Sequence, residues 1–477
     1  MVFSSHFFLY YFLPLALLAY YAAPKKLRHL TLTALSYLFY GWSNPVFILL
    51  MLTSTAIDYV CGRVIVGKVD QLEADTSRSQ RQRVAVTVSV IANLSLLGFF
   101  KYFHFGVDSY NALANAVGLP AAALDGTLRV VLPLGISFYT FQSMSYTIDL
   151  YRGHARVLRN FVDFACFVSM FPQLVAGPIL RFSEVSEQLR SRSHTLAKFA
   201  RGAACVSLGM AKKVLLANPC GRIADFAFDA GSIDTLSAWL GSIAYAFQIY
   251  FDFSGYSDMA IGLGLMLGFR FPKNFDSPYR SKSITEFWRR WHLSLSTWLR
   301  DYLYIPLGGN RFGPWKTYRN LGLVMLLGGL WHGAAWTFVA WGAFHGLFLA
   351  LERARGGKPL WHQLPPGLQT AATFILVLFS WVLFRADSIG RAGEYLGRMV
   401  GLGETQTQQA ITQSLMLRPY YLLMLITAAL VVWLGRQTTD WTRHLTPVRA
   451  TLAGLLLLAA AVTLETQDYN PFIYFIF

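Results

Sequence analysis

Charge is scarce in this chain. Only 14% of its 477 residues are Asp, Glu, Lys or Arg, where soluble proteins carry about 25%. That shortfall excludes an ordinary water-soluble domain. Metal-ligand spacing is missing as well. The four cysteines, Cys61, Cys166, Cys205 and Cys220, stand no closer than fifteen residues apart, and no histidine or carboxylate cluster has zinc-like spacing. The cysteines read as small buried apolar residues. No Walker-type loop is present, so nothing argues for ATP-driven transport. Met1 to Pro24 lacks a basic start and a small-residue cleavage site, and reads as a retained first helix.

What the chain has in excess is apolar surface. Hydrophobic residues make up 55% and aromatics 16%, the latter suited to interfacial Trp and Tyr belts. Uncharged runs cover 1–24, 30–57, 84–100, 130–148, 419–435 and 450–464. Since a span takes roughly 20 apolar residues, we expect an all-α polytopic membrane protein with about ten to twelve transmembrane or re-entrant helices. The net charge of +16 reads as cytoplasmic loops anchored by Lys and Arg, not as a nucleic-acid surface. Lys25, Lys26 and Arg28 put their end of the first helix in the cytoplasm.

Local signals refine this. Asn44-Pro45 should break the 30–57 run. Phe161 to Ile179, with Pro172, Gly177 and Pro178, suits a re-entrant or broken helix. Asp252 and Asp258 lie beside an apolar glycine-rich run and must face protein or water. Arg270 to Arg319 carries ten Lys/Arg against three Asp/Glu, too many to span. We expect one domain over 1–477: N-terminal helices to 217, a core at 218–351, and C-terminal helices with an aromatic tail at 352–477.

Two histidines stand out in the core. His332 sits in Trp331-His332-Gly333, within the uncharged 31-residue run Leu321–Leu351, long enough to cross a bilayer. An imidazole there is costly, so it is a functional candidate that can take a proton from a hydroxyl. The plainer reading is a packed histidine bonded to a helix carbonyl. His292 ends Trp288-Arg289-Arg290-Trp291-His292. The Ser283–Glu286 spacing predicts a helix start, and Trp288, Trp291, Leu295, Trp298, Leu299 and Tyr302 predict one amphipathic helix. Its arginines, Arg289, Arg290 and Arg300, either anchor it to lipid phosphate or form a basic mouth for a phosphorylated cytoplasmic substrate. His345, thirteen residues past His332, falls on another face and reads as structural.

Motifs carrying these residues resemble the membrane-bound O-acyltransferase family, in its bacterial polymer-modifying branch. They are Met1-Val2-Phe3-Ser4-Ser5, Gly135–Gln142, Phe171–Pro178, Asp252–Asp258, Phe287–His292, Leu299–Tyr302 and Leu330–Gly333. The resemblance implies a ring of helices around a thin centre, with funnels from both faces meeting near the family's invariant catalytic histidine, matched by His332. His292 matches its second polar residue. It further implies transfer of an acetyl group from cytoplasmic acetyl-CoA, with no permanently bound cofactor; the basic mouth read above, with Trp288, Arg289, Arg290 and Arg300, is its candidate binding site, and the spacing argues for no metal. The setting would be a bacterial inner membrane and its lipid. The acceptor would be an exported polysaccharide: alginate first, cellulose or peptidoglycan as alternatives. A periplasmic esterase-like (SGNH-type) acetyltransferase would complete the transfer. The tail 472–477 resembles that of a small partner peptide in teichoic-acid D-alanylation, so Tyr474 is a candidate acyl relay. The plainer reading is that its aromatics pin the tail in the interface. A rival class is a transporter or exporter of a glycan or lipid-linked intermediate. A third reading, a scaffold, would tolerate loss of His332.

Overall fold

The computed structural model describes residues 2–42, 44–74, 76–119, 124, 128–402 and 408–473, and every described element is helical. Four helices are long and apolar enough to span a bilayer: Val46–Val66, Gln80–Ala116, Pro366–Arg385 and Pro447–Thr466. The last shows much of its length outward, including Leu452, Leu455, Leu458 and Val462. Such an apolar face is stable against lipid, not water.

The chain divides into two compact units. The first holds residues 1–194 and 267–271. Its helices include α1 (Leu13–Ala22), α2 (Arg28–Gly41), α3 (Val46–Val66), α4 (Gln80–Ala116), α5 (Ile136–Arg152) and α6 (Phe161–Ser169). The break between α2 and α3 falls at Asn44-Pro45, as expected. The stretch after Phe161 is interrupted too: α6 stops at Ser169, one turn follows at Phe171–Leu174, and the chain to Leu180 is buried without spanning. Helices α3, α4 and α5 share a buried polar cluster. Ser89 and Asn93 donate to Asp58 at 2.6 and 2.7 Å, and Ser143 donates as well. Hydrocarbon offers no water to do this, so the helices satisfy one another.

The second unit holds residues 195–266 and 272–477. It starts with α7 (Leu196–Ala211), a wide π-turn (Lys212–Ala217) and α8 (Asn218–Phe228), then α9 (Thr235–Met266). At 32 residues, α9 is about 48 Å long, and every residue from Ala244 to Met266 is buried. A helix apolar on all sides belongs inside. Next come α10 (Ile284–Trp288), α11 (Leu293–Leu299), α12 (Gly313–His332), α13 (Trp336–Ala354), α14 (Pro366–Arg385), α15 (Ile389–Met399), α16 (Pro419–Leu434) and α17 (Pro447–Thr466).

Two expectations need correction. The amphipathic pattern of 283–302 is not one helix: α10 ends at Trp288, and His292 adopts φ +44° before α11 begins. The uncharged run 321–351 is not one span either. It folds into a hairpin, because Gly333 leaves helical geometry and α13 restarts at Trp336.

Helices α7 and α9 cross at glycines. A Cβ on Gly209 would sit 2.5 Å from the Gly255 carbonyl oxygen, and one on Gly255 2.7 Å from that of Gly209. We predict that Gly255→Val costs about 1–3 kcal/mol by overpacking, read as an earlier thermal loss of monodisperse protein in detergent. Gly231→Ala, into open space, should melt as wild type. Equal melting of both variants would overturn the close-crossing account.

Candidate active site

Local sequence explains how the two histidines meet. Helix α12 ends at His332 because Gly333 follows in extended geometry, its amide still bonded to the Gly329 carbonyl at 3.3 Å. The hairpin is tight: a Cβ on Gly329 would strike the Phe338 carbonyl, and one on Gly333 the Phe338 ring. Gly328, by contrast, is not crowded, its added Cβ 3.4 Å from Leu299. His332 is thus presented at a helix end, 8% exposed, with its ring edge-to-face against Trp331, Trp341 and Phe384 at 5.1–5.3 Å.

His292 is fully buried. Its left-handed backbone is uncommon for a non-glycine residue and is held by its surroundings. The Asn274 side-chain oxygen accepts from the Ser294 amide at 3.2 Å and the Ser294 hydroxyl at 2.9 Å. An amide nitrogen can only donate, so the Asn274 atom facing it is oxygen. That same oxygen lies 3.2 Å from His292 Nδ1. Nδ1 therefore carries the proton, and the neutral ring keeps its lone pair on Nε2. The two imidazoles are 6.2 Å apart, centroid to centroid, although forty residues separate them in the chain.

Beside His332 lies a small chamber of about 10 Å³, lined by Asp252, Trp291, His332, Trp381, Phe384 and Ile473, among others. That is room for about one water molecule. Two larger spaces lie in the same unit. One is a 660 Å³ groove bordered by Thr285, Arg289, Pro314, Thr317, Tyr318 and Arg353. Neither arginine pairs with a carboxylate among the described residues. Leu321 also borders the groove, and His332 lies eleven residues, about 16 Å, farther along α12. The Arg289–His292 segment reaches both places, Arg289 in the groove and Trp291 in the chamber. The other space is a 230 Å³ vestibule lined by Asp225, Gln248, Thr337, Arg385, Tyr469 and Ile473. Phe384 and Ile473 border both vestibule and chamber.

The remaining singled-out residues are placed less centrally. Arg290 pairs with Glu286 at 2.8 Å and donates to the Asp276 carbonyl. Arg300 grips its neighbour Asp301 with two bonds of 2.7 and 3.0 Å. Trp288 packs on Trp341 and His345. His345 lies parallel to Phe287 inside an aromatic cage, with Trp341 between it and His332. Tyr474 lies outside the described residues.

Three positions escaped the sequence reading. Asn274 is one. Glu352 is another: fully buried, it accepts from the Ile284 and Thr285 amides at 2.8 and 2.9 Å and from the Thr285 hydroxyl at 2.6 Å. It caps the N-terminus of α10, beside the expected Ser283 cap. Its only sequence signal is an acid at the end of an apolar helix. The third is Lys213, which meets Asp252 at 2.7 Å with each side chain 2% exposed. Lys212 pairs likewise with Asp258 at 2.6 Å.

A family model described as MBOAT, membrane-bound O-acyltransferase family, matches residues 3–356. The chain is 46% identical to the probable alginate O-acetylase of Pseudomonas putida, over all of both chains. It is 38% identical to the peptidoglycan O-acetyltransferase of Helicobacter pylori, over 84% of this chain and 80% of the relative. It is 33% identical to the teichoic acid D-alanyltransferase of Streptococcus thermophilus, over 54% of this chain and 68% of the relative.

Glu352→Ala should orphan two buried amides, at about 1–3 kcal/mol each, and lower the melting temperature in detergent. Melting at the wild-type temperature would sink the assigned cap.

Proposed function

For a chain that belongs to the membrane-bound O-acyltransferase family, and is therefore a membrane O-acyltransferase, we propose that it takes acetyl from acetyl-CoA and passes it across the bacterial inner membrane to an exported polysaccharide. One observation carries the donor assignment. Two arginines that pair with no carboxylate among the described residues border a groove about 16 Å along α12 from His332. Phosphates suit such a groove, and the extended pantetheine arm of coenzyme A bridges that kind of distance to the thioester. Relatives named for alginate and peptidoglycan O-acetylation support a polysaccharide acceptor, with alginate first. A periplasmic SGNH-type acetyltransferase would finish the transfer on the vestibule side.

In this reading His332 takes the proton of the attacking hydroxyl as its oxygen adds to the thioester carbonyl. The carbon–sulfur bond then breaks and the thiolate leaves. His292 offers a lone pair on Nε2, so it orients a second donor group, such as a neighbouring hydroxyl of the acceptor, and does not brace an oxyanion. The aromatic walls keep the carbonyl away from water.

The chamber wall also favours a role for the tail. Ile473 lines the chamber, and Tyr474 follows it in the chain. Its phenol would take the acetyl group as an ester and hand it to the vestibule side.

Purified protein should release free thiol from acetyl-CoA, and His332→Ala should lower this at least about a hundredfold. Arg289→Ala and Arg353→Ala should each raise KM about tenfold with kcat little changed. Thiol release unaffected by His332→Ala would refute the catalytic assignment. Tyr474→Phe should cut polymer acetylation in cells, and acetylation at the wild-type level would remove the relay.

A further inference from the structure

The second unit contains a buried ion pair that the proposed chemistry does not use. Lys213, on the π-turn, and Asp252, on α9, are each 2% exposed and 2.7 Å apart. Both also hold the last described segment. Asp252 Oδ2 accepts from the Ile473 amide at 2.8 Å. Lys213 Nζ donates to the Pro471 carbonyl. Further grips lie upstream. Asn218 donates to the Tyr469 carbonyl at 3.1 Å, Tyr469 donates to Asp225, and the Arg222 guanidinium lies 3.8 Å over the Tyr469 ring. Phe472 packs on Tyr256 at 4.8 Å.

An irregular segment has few hydrogen bonds of its own to keep it in a protein interior. This one is held by main-chain bonds to two opposite charges, which are themselves stable there only as a pair. The result is specific in space. Ile473 sits in the wall shared by chamber and vestibule, with Phe384 as its companion. The chamber it closes measures about 10 Å³, while the vestibule beyond measures about 230 Å³ and can hold several waters.

We propose that Lys213 and Asp252 are positioning residues whose ion pair seats residues 469–473 as a latch, so that Ile473 keeps vestibule water out of the His332 chamber. The inference rests on the acetyl-CoA reading for its chemistry. With the latch loose, water adds to the thioester carbonyl, the carbon–sulfur bond breaks, and acetate and free coenzyme A leave together with a proton. The latch would therefore set the ratio of transfer to hydrolysis, not the intrinsic reactivity of His332.

The test uses the full chain in detergent with acetyl-labelled acetyl-CoA and no acceptor. Wild type should form acetate slowly. Lys213→Met and Ile473→Ala should form it about tenfold faster, while Lys213→Arg, which keeps charge and donor, should resemble wild type. Ile473→Ala leaves the ion pair intact and guards against a folding defect in Lys213→Met. Wild-type acetate rates in both folded variants would overturn the latch. A second measurement is independent of the donor. Because the four native cysteines are buried, Ile473→Cys can be labelled selectively with a charged methanethiosulfonate. Adding Lys213→Met should speed labelling about tenfold. Equal labelling rates overturn the latch whatever the donor. Faster labelling without any acetyl-CoA turnover supports the latch and removes the donor reading instead.

Discussion

Two lysine–aspartate pairs between the π-turn and α9 underlie the second unit. A carboxylate deep in an apolar helix is stable only beside a cation, and α9 carries two of them. Asp252 and Asp258 take adjacent lysines, Lys213 and Lys212. A wide π-turn, of a kind that recurs at functional sites, presents both. Asp258 also accepts from Thr438 at 2.6 Å, so the same charges reach helices far along the chain. These bonds determine where α9 lies, and α9 contributes Ile249, Asp252 and Phe253 to the chamber wall.

Much of the site follows from this with little extra design. Helix α12 needs only a glycine to stop it at His332. His292 needs only an acceptor for Nδ1, which Asn274 provides while bonding Ser294. The amide on Ser294 removes the ambiguity in the Asn274 orientation, and with it the ambiguity in the tautomer.

The sequence showed the class of fold and the two histidines, because scarcity of charge and an imidazole in an apolar run are local signals. It also showed the break at Asn44-Pro45 and the non-spanning stretch after Phe161, through proline. It misread the 283–302 pattern as one helix. Aromatic spacing there is real, but the backbone reverses hand at His292 under tertiary restraint, which periodicity cannot register. The 321–351 run was misread for a related reason: hydropathy records that residues are apolar, not that a hairpin turns between them. Asn274, Glu352 and Lys213 were invisible because each acts through a partner many residues away. Of the four aromatic and basic residues singled out near His292, only Arg289 borders the groove, since Arg290 and Arg300 are engaged by nearby acids and Trp288 by neighbouring rings.

The chamber is assembled from parts made at very different times. Ile249, Asp252 and Trp291 are translated early, His332, Trp381 and Phe384 later, and Ile473 last of all the described residues. A ribosome that stops anywhere between 385 and 468 has already produced both histidines, the groove and both charges of Lys213 and Asp252, but not the segment they hold. Premature termination in that interval would leave the His332 chamber without Ile473 in its wall. On the acetyl-CoA reading proposed above, such a fragment would drain the cell's activated acetyl groups, and prompt removal of incomplete chains would matter more here than for an enzyme whose last segment is ornamental.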